Sequence, residues 1–392
     1  MTYTQLAVVG AVAMLGPLLA YPRGWHLPVV LGELLAGVAI GRTGLGYVDP
    51  GDPVFAFLAD AGFALIMFVV GTHVPLRDPA LRPAVGGGLA RALVVGVAAA
   101  AVGWGIALVA GVPHAPLYAV LMTSSSAALI LPVVDSLALG GPSVIGLLPQ
   151  VAIADVVCIV ALPLAIDPAH ALRAAGGAGA MGAAAAVVFL VLRHFERSGH
   201  RRRVHEVSEE RLFALELRIQ LAILFALAGL AVWAHGSIML AGFAFGLGVA
   251  AIGEPRRLAR QLFAITEGFL GPLFFVWLGA ELDLRQLVGH PSMVLLGLAL
   301  GVGAGVTHLV PRLLGQPAPL GLLASAQLGV PVAAATIGAQ LGVLRTGEAS
   351  ALMLGALVTI GLAVLGGGLA ARSGLVVAVE GDAAPPPLTS AG

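Results

Sequence analysis

The sequence predicts an all-α membrane protein of about thirteen transmembrane helices, with inverted-topology repeats and two crossed broken helices. Three observations support this prediction: the overall hydropathy, a regular series of apolar runs, and short segments that recur in the second half of the chain. Of the 392 residues, 59% are hydrophobic and 10% are charged, and the mean hydropathy is +1.01. These values lie far outside the range of soluble domains. Because lipid cannot satisfy backbone polar groups, helices are the economical way to cross the membrane.

Apolar runs that are long enough to cross the hydrocarbon core, about 20 residues, occur throughout the chain. The predicted spans are, in order, 3–21, 27–41, 53–74, 86–111, 116–138, 143–166, 171–193, 213–234, 235–252, 257–281, 291–314, 319–341 and 348–371. The second and ninth spans are short, and only AHGS separates the eighth from the ninth, so the count is good to one span. The first span lacks a charged n-region and a cleavage site, which favours a retained helix over a signal peptide.

Arginine predicts the orientation, because the sequence contains no lysine. If the N-terminus is outside, most loop arginines face the cytoplasm, and the outside receives only Arg42, Arg173, Arg285 and Arg345. The positive-inside rule therefore predicts an outer N-terminus and a cytoplasmic C-terminus, in the inner (plasma) membrane.

Two polar segments lie outside the spans. Residues 194–212 contain the basic stretch HRRRVH and form the one substantial cytoplasmic loop. A role in setting topology and contacting anionic lipid accounts for this stretch, so we predict no nucleic-acid partner. Residues 373–392 are polar and Pro-rich, which predicts a disordered C-terminal tail.

Three segments of the first half recur in the second half. LAGVAIG (35–41) returns as LAGFAFG (240–246), SAALILPV (126–133) returns as SAQLGVPV (325–332), and GTHVPLR (71–77) shares Gly, Leu and Arg with GAELDLR (279–285). Each pair is seven crossings apart, so the two copies run in opposite directions through the membrane. We predict inverted repeats at about 27–166 and 235–371 within a single transporter domain, 1–372. Such repeats are typical of secondary transporters, which bind substrate near the midplane.

Two prolines at matching places predict that spans five and twelve are broken. Pro132 follows the polar run Thr123, Ser124, Ser125 and Ser126, and Pro331 follows Gln327. We expect breaks near 124–132 and 325–331, where freed carbonyls and half-helix ends coordinate ions. The alternative is a pair of proline kinks whose neighbouring hydroxyls bond back to their own helices. Gln327 either supplies its carbonyl to the ion or hydrogen-bonds the break.

Asp155 is the carboxylate closest to the predicted midplane. It lies about twelve residues into span six, about 18 Å along the helix at 1.5 Å per residue. An unpaired aspartate is costly as an anion in the bilayer, so it should be protonated, bound to a cation or exposed to a water-filled funnel. We predict that Asp155 binds the proton and a monovalent metal cation, with Thr123, the three serines and Gln327 as further ligands. The alternative is a structural aspartate bonded to a neighbouring hydroxyl.

Two further carboxylates are predicted to support the site. Glu33 on span two either anchors the core or lines the ion pathway, and Glu267 lies near the middle of span ten. The sequence contains no motif for an enzymatic or histidine-metal site, since it has no Gly-rich phosphate loop, no catalytic triad and no ligand-type spacing of histidines. We therefore predict no enzymatic activity and no cofactor. The single cysteine, Cys158, is predicted to be a packing residue.

Six motifs carry a family resemblance: LPVVLGELLAGVAIG, FLADAGFALIMFVVG, TSSSAALILPVV, IADVV, SIMLAGFAFGL and GFLGPLFFVWLGAELDL. In this order they resemble the monovalent cation/proton antiporter superfamily, in its Kef-like branch of bacterial sodium or potassium/proton exchangers, and the resemblance covers about residues 5–371. The resemblance implies a thirteen-span fold, crossed broken helices, a moving core domain that carries the ion site, and a homodimer. We place the dimer interface near spans two and nine.

Two departures from the family pattern bear on the mechanism. Asp155 matches the second residue of the family's paired motif on span six, but the first position is Ala154, and no lysine matches the basic residue of electrogenic members on span ten. A single carboxylate implies electroneutral exchange of one proton for one Na⁺ or K⁺. A Kef-like potassium efflux channel and a non-transporting sensor on the same scaffold remain as alternatives.

Overall fold

The structure is a computed structural model that describes residues 1–21, 29–72, 81–166, 171–198, 214–233, 238–252 and 256–376. Most of the predicted cytoplasmic loop and most of the predicted tail lie outside the described residues. The α-helices are α1 Tyr3–Ala13, α2 Leu15–Ala20, α3 Val29–Ile40, α4 Pro53–Thr72, α5 Leu81–Ala110, α6 Ala115–Thr123, α7 Ala127–Ser136, α8 Pro142–Ile166, α9 Ala171–Arg197, α10 Leu215–Trp233, α11 Ile238–Ile252, α12 Arg256–Ile265, α13 Gly271–Glu281, α14 Leu284–Val288, α15 Pro291–Leu309, α16 Ala318–Ala324, α17 Gly329–Gln340 and α18 Glu348–Arg372.

These helices match the predicted spans in order. Within the part of the chain that the structure describes, ten stretches are long and apolar enough to cross a membrane, and spans two, seven and nine are occupied by the shorter apolar helices Val29–Ile40, Gly179–Phe195 and Ile238–Ile252. The all-α membrane fold with about thirteen spans is therefore confirmed. The fold buries one continuous apolar core, to which both halves of the chain contribute.

Two spans contain irregularities that the sequence analysis did not anticipate. Span one bends at Met14, between α1 and α2, where Pro17 cannot donate a hydrogen bond to the preceding turn. Span ten contains a π-helical turn, Thr266–Leu270, between α12 and α13. Pro272 follows this turn, and its missing N–H and bulky ring favour a wider local helix. Glu267 lies within the π turn.

Spans five and twelve are broken, as predicted. The first break covers residues 124–126, between α6 and α7, and the second covers 325–328, between α16 and α17. The prolines themselves lie inside the following half-helices rather than in the breaks. Pro331 is the third residue of α17, in the first turn, where a backbone N–H has no intrahelical partner.

The glycines of the repeated heptapeptide allow two pairs of helices to pack in close contact. A Cβ on Gly37 of α3 would lie 2.1 Å from the carbonyl oxygen of Val276 in α13. A Cβ on Gly246 of α11 would lie 2.2 Å from the carbonyl oxygen of Phe68 in α4. The small residues thus serve packing within the chain. Other helices of the same chain cover the glycine faces of these motifs, and the dimer interface near spans two and nine stays a prediction.

Candidate functional site

The two helix breaks contact each other directly. The backbone N–H of Ser126 donates to the carbonyl of Ala326 at 2.7 Å, and the Ser125 hydroxyl donates to the carbonyl of Ala324 at 2.7 Å. Breaking a helix in an apolar surrounding leaves backbone groups unpaired, which costs free energy. The second break therefore supplies carbonyl acceptors for polar groups of the first break. These hydrogen bonds hold the four half-helix ends at one buried crossing.

Asp155 lies beside this crossing. It is a residue of α8 and is 4% exposed. The backbone N–H of Ala127, the first residue of α7, donates to its Oδ2 at 3.3 Å. The positive end of the α7 dipole thus faces the carboxylate and stabilises its charge. Among the described residues Asp155 forms no ion pair, and its partner is a backbone amide rather than the neighbouring hydroxyl of the structural alternative.

The hydroxyl groups that are predicted to bind the ion donate hydrogen bonds to different acceptors. Thr123 donates to the carbonyl of Ala119 at 2.7 Å and Ser124 donates to that of Leu121 at 2.8 Å, so both bond back to their own helix. Ser125 instead reaches across to the other break. A hydroxyl that donates its hydrogen still has lone pairs that can accept or coordinate. The structure therefore leaves these oxygens chemically able to bind a cation, although it does not bring all of them to Asp155.

Gln327 lies in the second break and is 4% exposed. Its backbone N–H donates to Thr359 Oγ1 at 3.2 Å. Its side-chain Nε2 is buried and has no hydrogen-bond partner among the described residues. A buried amide without a partner is costly. The backbone contact ties the second break to α18, and both roles predicted for the Gln327 side chain stay predictions. Ala154, beside Asp155 in sequence, is buried and offers only a methyl group.

Glu33 and Glu267 do not lie at the crossing. Both line a cavity of about 290 Å³ between the first span, α3 and the π turn. The lining of this cavity includes none of the residues at the two breaks. The structure thus separates the predicted supporting carboxylates from Asp155.

His308 is a residue of the crossing that the sequence analysis set aside. It lies in α15, is 1% exposed, and places its Nε2 3.3 Å from the Ser125 hydroxyl and its Nδ1 2.9 Å from the carbonyl of Ala304. One feature of the sequence could have identified His308, namely that it is a histidine within an apolar predicted span. Buried polar groups in membrane segments are rare and usually functional or carefully paired.

The transmembrane model of the sodium/hydrogen exchanger family matches residues 10–370. A putative Na⁺/H⁺ antiporter, YjbQ of Bacillus subtilis (strain 168), is 25% identical over 378 residues, which cover 90% of this chain and 61% of the relative. The glutathione-regulated potassium-efflux system protein KefC of Salmonella typhimurium is 29% identical over 330 residues, covering 80% of this chain and 50% of KefC. The chain thus spans only about half to three fifths of the length of these relatives.

Two solved structures share the fold. A structure of the sodium proton antiporter MjNhaP1 from Methanocaldococcus jannaschii at pH 8 has a TM-score of 0.60 and 19% identity, with 93% of this chain and 95% of that chain covered. An electron-microscopy map of the same antiporter gives a TM-score of 0.63 and 18% identity, covering 98% of this chain and 100% of that chain. At this identity the likeness shows the architecture alone.

Proposed function

The chain belongs to the sodium/hydrogen exchanger family, and we propose that it exchanges a monovalent cation, Na⁺ or K⁺, for a proton across a membrane. The observation that carries this proposal is the buried, ion-pair-free carboxylate of Asp155 at the N-terminus of α7. A single carboxylate can be neutralised by one proton or by one cation, but not by both at once. Competition for that group would couple the two fluxes without any enzymatic step or cofactor.

The packing around the repeated motifs supports the proposed inverted repeats. Gly37 packs against Val276 and Gly279, and Gly246 packs against Phe68 and Gly71. Phe68 and Gly71 precede Val276 and Gly279 by the same 208 residues that separate the paired segments at 71 and 279. Span two thus meets span ten, and span nine meets span three, although the two glycines are one helical turn out of register, because Gly37 matches Gly242 in the heptapeptide. This reciprocal contact is what a pseudo-two-fold axis relating 27–166 to 235–371 would produce.

We further propose the setting in which the exchange takes place. The arginine distribution supports an inner-membrane protein with an outer N-terminus and a cytoplasmic C-terminus. Family membership supports a homodimer in the lipid bilayer. The names of the two relatives point to different cations, sodium for one and potassium for the other. Selectivity therefore has to be measured.

Replacing Asp155 by asparagine tests the proposed function. The substitution keeps the shape of the side chain and removes the exchangeable charge, so we expect cation-driven proton movement to be abolished in proteoliposomes. The measurement is the change of internal pH after a pulse of Na⁺, K⁺ or Li⁺. Asp135→Asn, at the exposed end of α7, is the matched control and should retain exchange.

Three outcomes would contradict this proposal. Normal exchange by Asp155→Asn would remove the residue from the mechanism. Flux of K⁺ without any pH response in the wild type would favour the channel alternative. A folded wild-type protein that moves no cation and no proton would favour the sensor.

A further inference from the structure

Asp60 is an acidic residue of α4 that lies well inside span three. It is seven residues from Pro53, the first residue of α4, which is about 10 Å along the helix. Asp60 is exposed, and within the described part of the chain its carboxylate forms no ion pair or hydrogen bond. An aspartate side chain is too short to reach the interface from this depth, and a carboxylate that faces lipid is costly.

The packing of α11 against α4 ends at Asp60. A Cβ added at Gly242 of α11 would lie 2.5 Å from the carbonyl oxygen of Ala64 in α4, and the contact one turn later keeps the same register. The two helices therefore run in the same direction. One turn earlier, this register pairs Asp60 with Ile238, the first residue of α11. Asp60 is thus exposed because the short helix of span nine begins beside it.

One turn further along α4, Phe63 contacts the start of α17. A Cβ added at Gly329, which follows the second break, would lie 3.4 Å from Phe63 Cζ and 2.7 Å from the sulfur of Met239 in α11. Residues three apart on a helix are neighbours on its surface. Asp60 therefore lies next to this contact, one turn closer to the outer surface in the proposed orientation.

We propose that Asp60 faces a water-filled cleft on the outer side of the crossing, where its carboxylate recruits the monovalent cation that exchanges at Asp155. This inference rests on the proposed exchange function and adds a residue to it. Water around an exposed carboxylate preserves its charge. A negative charge in a cleft raises the local concentration of cations. Phe63 and Met239 pack over the start of α17, so Asp60 assists binding without being a ligand of the ion held by Asp155.

Cysteine labelling tests whether water reaches this position, and it does not require transport. The single native cysteine, Cys158, is 1% exposed, so the background is low. Asp60→Cys in the full chain is treated with a membrane-impermeant methanethiosulfonate reagent, in right-side-out and inside-out vesicles. We expect labelling from the outer side. The matched control is Val97→Cys in α5, which is 73% exposed near the middle of an apolar span and should not react, since a thiol in lipid forms no thiolate.

Exchange kinetics test whether the charge of Asp60 recruits the cation. Asp60→Asn should raise the KM for the outer cation about threefold or more at low salt, because the lost charge no longer concentrates cations. The maximal rate should stay near that of the wild type. Asp60→Glu keeps the charge and should restore the KM. The difference should shrink at high ionic strength, where salt screens the carboxylate.

The proposed function and this inference fail in different ways. Adding Asp155→Asn to Asp60→Cys should abolish exchange and leave the labelling unchanged. Labelling of Asp60→Cys without any exchange by the wild type would contradict the proposed function and support the cleft. The inference is overturned if Asp60→Cys is not labelled from the outer side, as expected if lipid or a second copy of the chain covers it, or if Asp60→Asn leaves the KM unchanged.

Discussion

Two adjacent serines at the first break donate hydrogen bonds to acceptors in different helical segments. Ser125 donates to Ala324 in the opposite break, whereas Ser124 donates to Leu121 in its own helix. Ser125→Ala would leave the Ala324 carbonyl with a lost bond at a buried position. We expect a loss of about 1–3 kcal/mol in the free energy of unfolding, against a smaller loss for Ser124→Ala. Denaturation in detergent, followed by helix content, measures both.

Both serines are about 1% exposed, so differences in burial cannot explain a difference between the two variants. If the two alanine variants are equally stable, the hydrogen bond from the Ser125 hydroxyl to Ala324 does not contribute to holding the two breaks together.

At the residue scale, the burial of Asp155 was easier to predict from the sequence than the residues that surround it. A charged group in an apolar span is conspicuous because burying it is costly, and this cost is a property of the span alone. The partners of Asp155 and Ser125 depend on how separate helices pack. The spacing of residues along the sequence therefore could not predict that Ala127 N–H contacts Asp155 or that His308 contacts Ser125. For the same reason, the sequence did not show that the predicted supporting residues Glu33 and Glu267 share a cavity whose lining includes none of the residues at the breaks.

Among the helices, the close contacts of α3 with α13 and of α11 with α4 depend on the absence of a Cβ. Gly37→Ala and Gly246→Ala should each force backbones apart and destabilise the protein by about 1–3 kcal/mol. Gly361→Ala in α18 is the matched control, because nothing lies within 4 Å of its added Cβ. Since alanine favours a helix over glycine, the control should be neutral or more stable by up to about 1 kcal/mol. Thermal melting in one detergent compares the three.

The proposed repeat allows a stricter comparison, because Gly37 and Gly242 are the matching glycines of the two heptapeptides. Gly37→Ala and Gly242→Ala should lower the melting temperature to similar extents, because a Cβ added at Gly242 would also meet a carbonyl oxygen, that of Ala64 at 2.5 Å. If only one variant is destabilised, the two contacts are not equivalent and the proposed repeat loses its packing support.

The helix boundaries were largely predictable, because hydropathy and length are local properties. The position of the first break was only approximate. The predicted interval was 124–132, whereas the chain opens only at residues 124–126 and Pro132 lies inside the following half-helix. The serine backbone and hydroxyl groups there find carbonyl partners in the second break, and this tertiary contact outweighs the local effect of the proline. The π turn of span ten likewise depends on packing that sequence does not show.

For the whole molecule, the charge of the loaded carrier decides how transport responds to membrane voltage. Asp155 is neutral when it carries a proton and neutral when it carries a monovalent cation. If only these two forms complete the cycle, no net charge crosses. A potential of about 100 mV is worth roughly 2.3 kcal/mol per charge, so an electrogenic cycle would show a large shift. We expect the exchange equilibrium of the wild type to be unchanged by imposed potentials of either sign.

Ala154→Asp supplies the matched test of this argument. It restores a carboxylate beside Asp155, at a position that is buried in the wild type. A second titratable group would allow two protons to exchange for one cation, so this variant should acquire voltage dependence. Proteoliposomes with potassium diffusion potentials, read by internal pH, compare the two proteins. If the wild type already responds to voltage, another group must carry a charge, and His308 beside Ser125 is the first candidate, since His308→Gln would then remove the response.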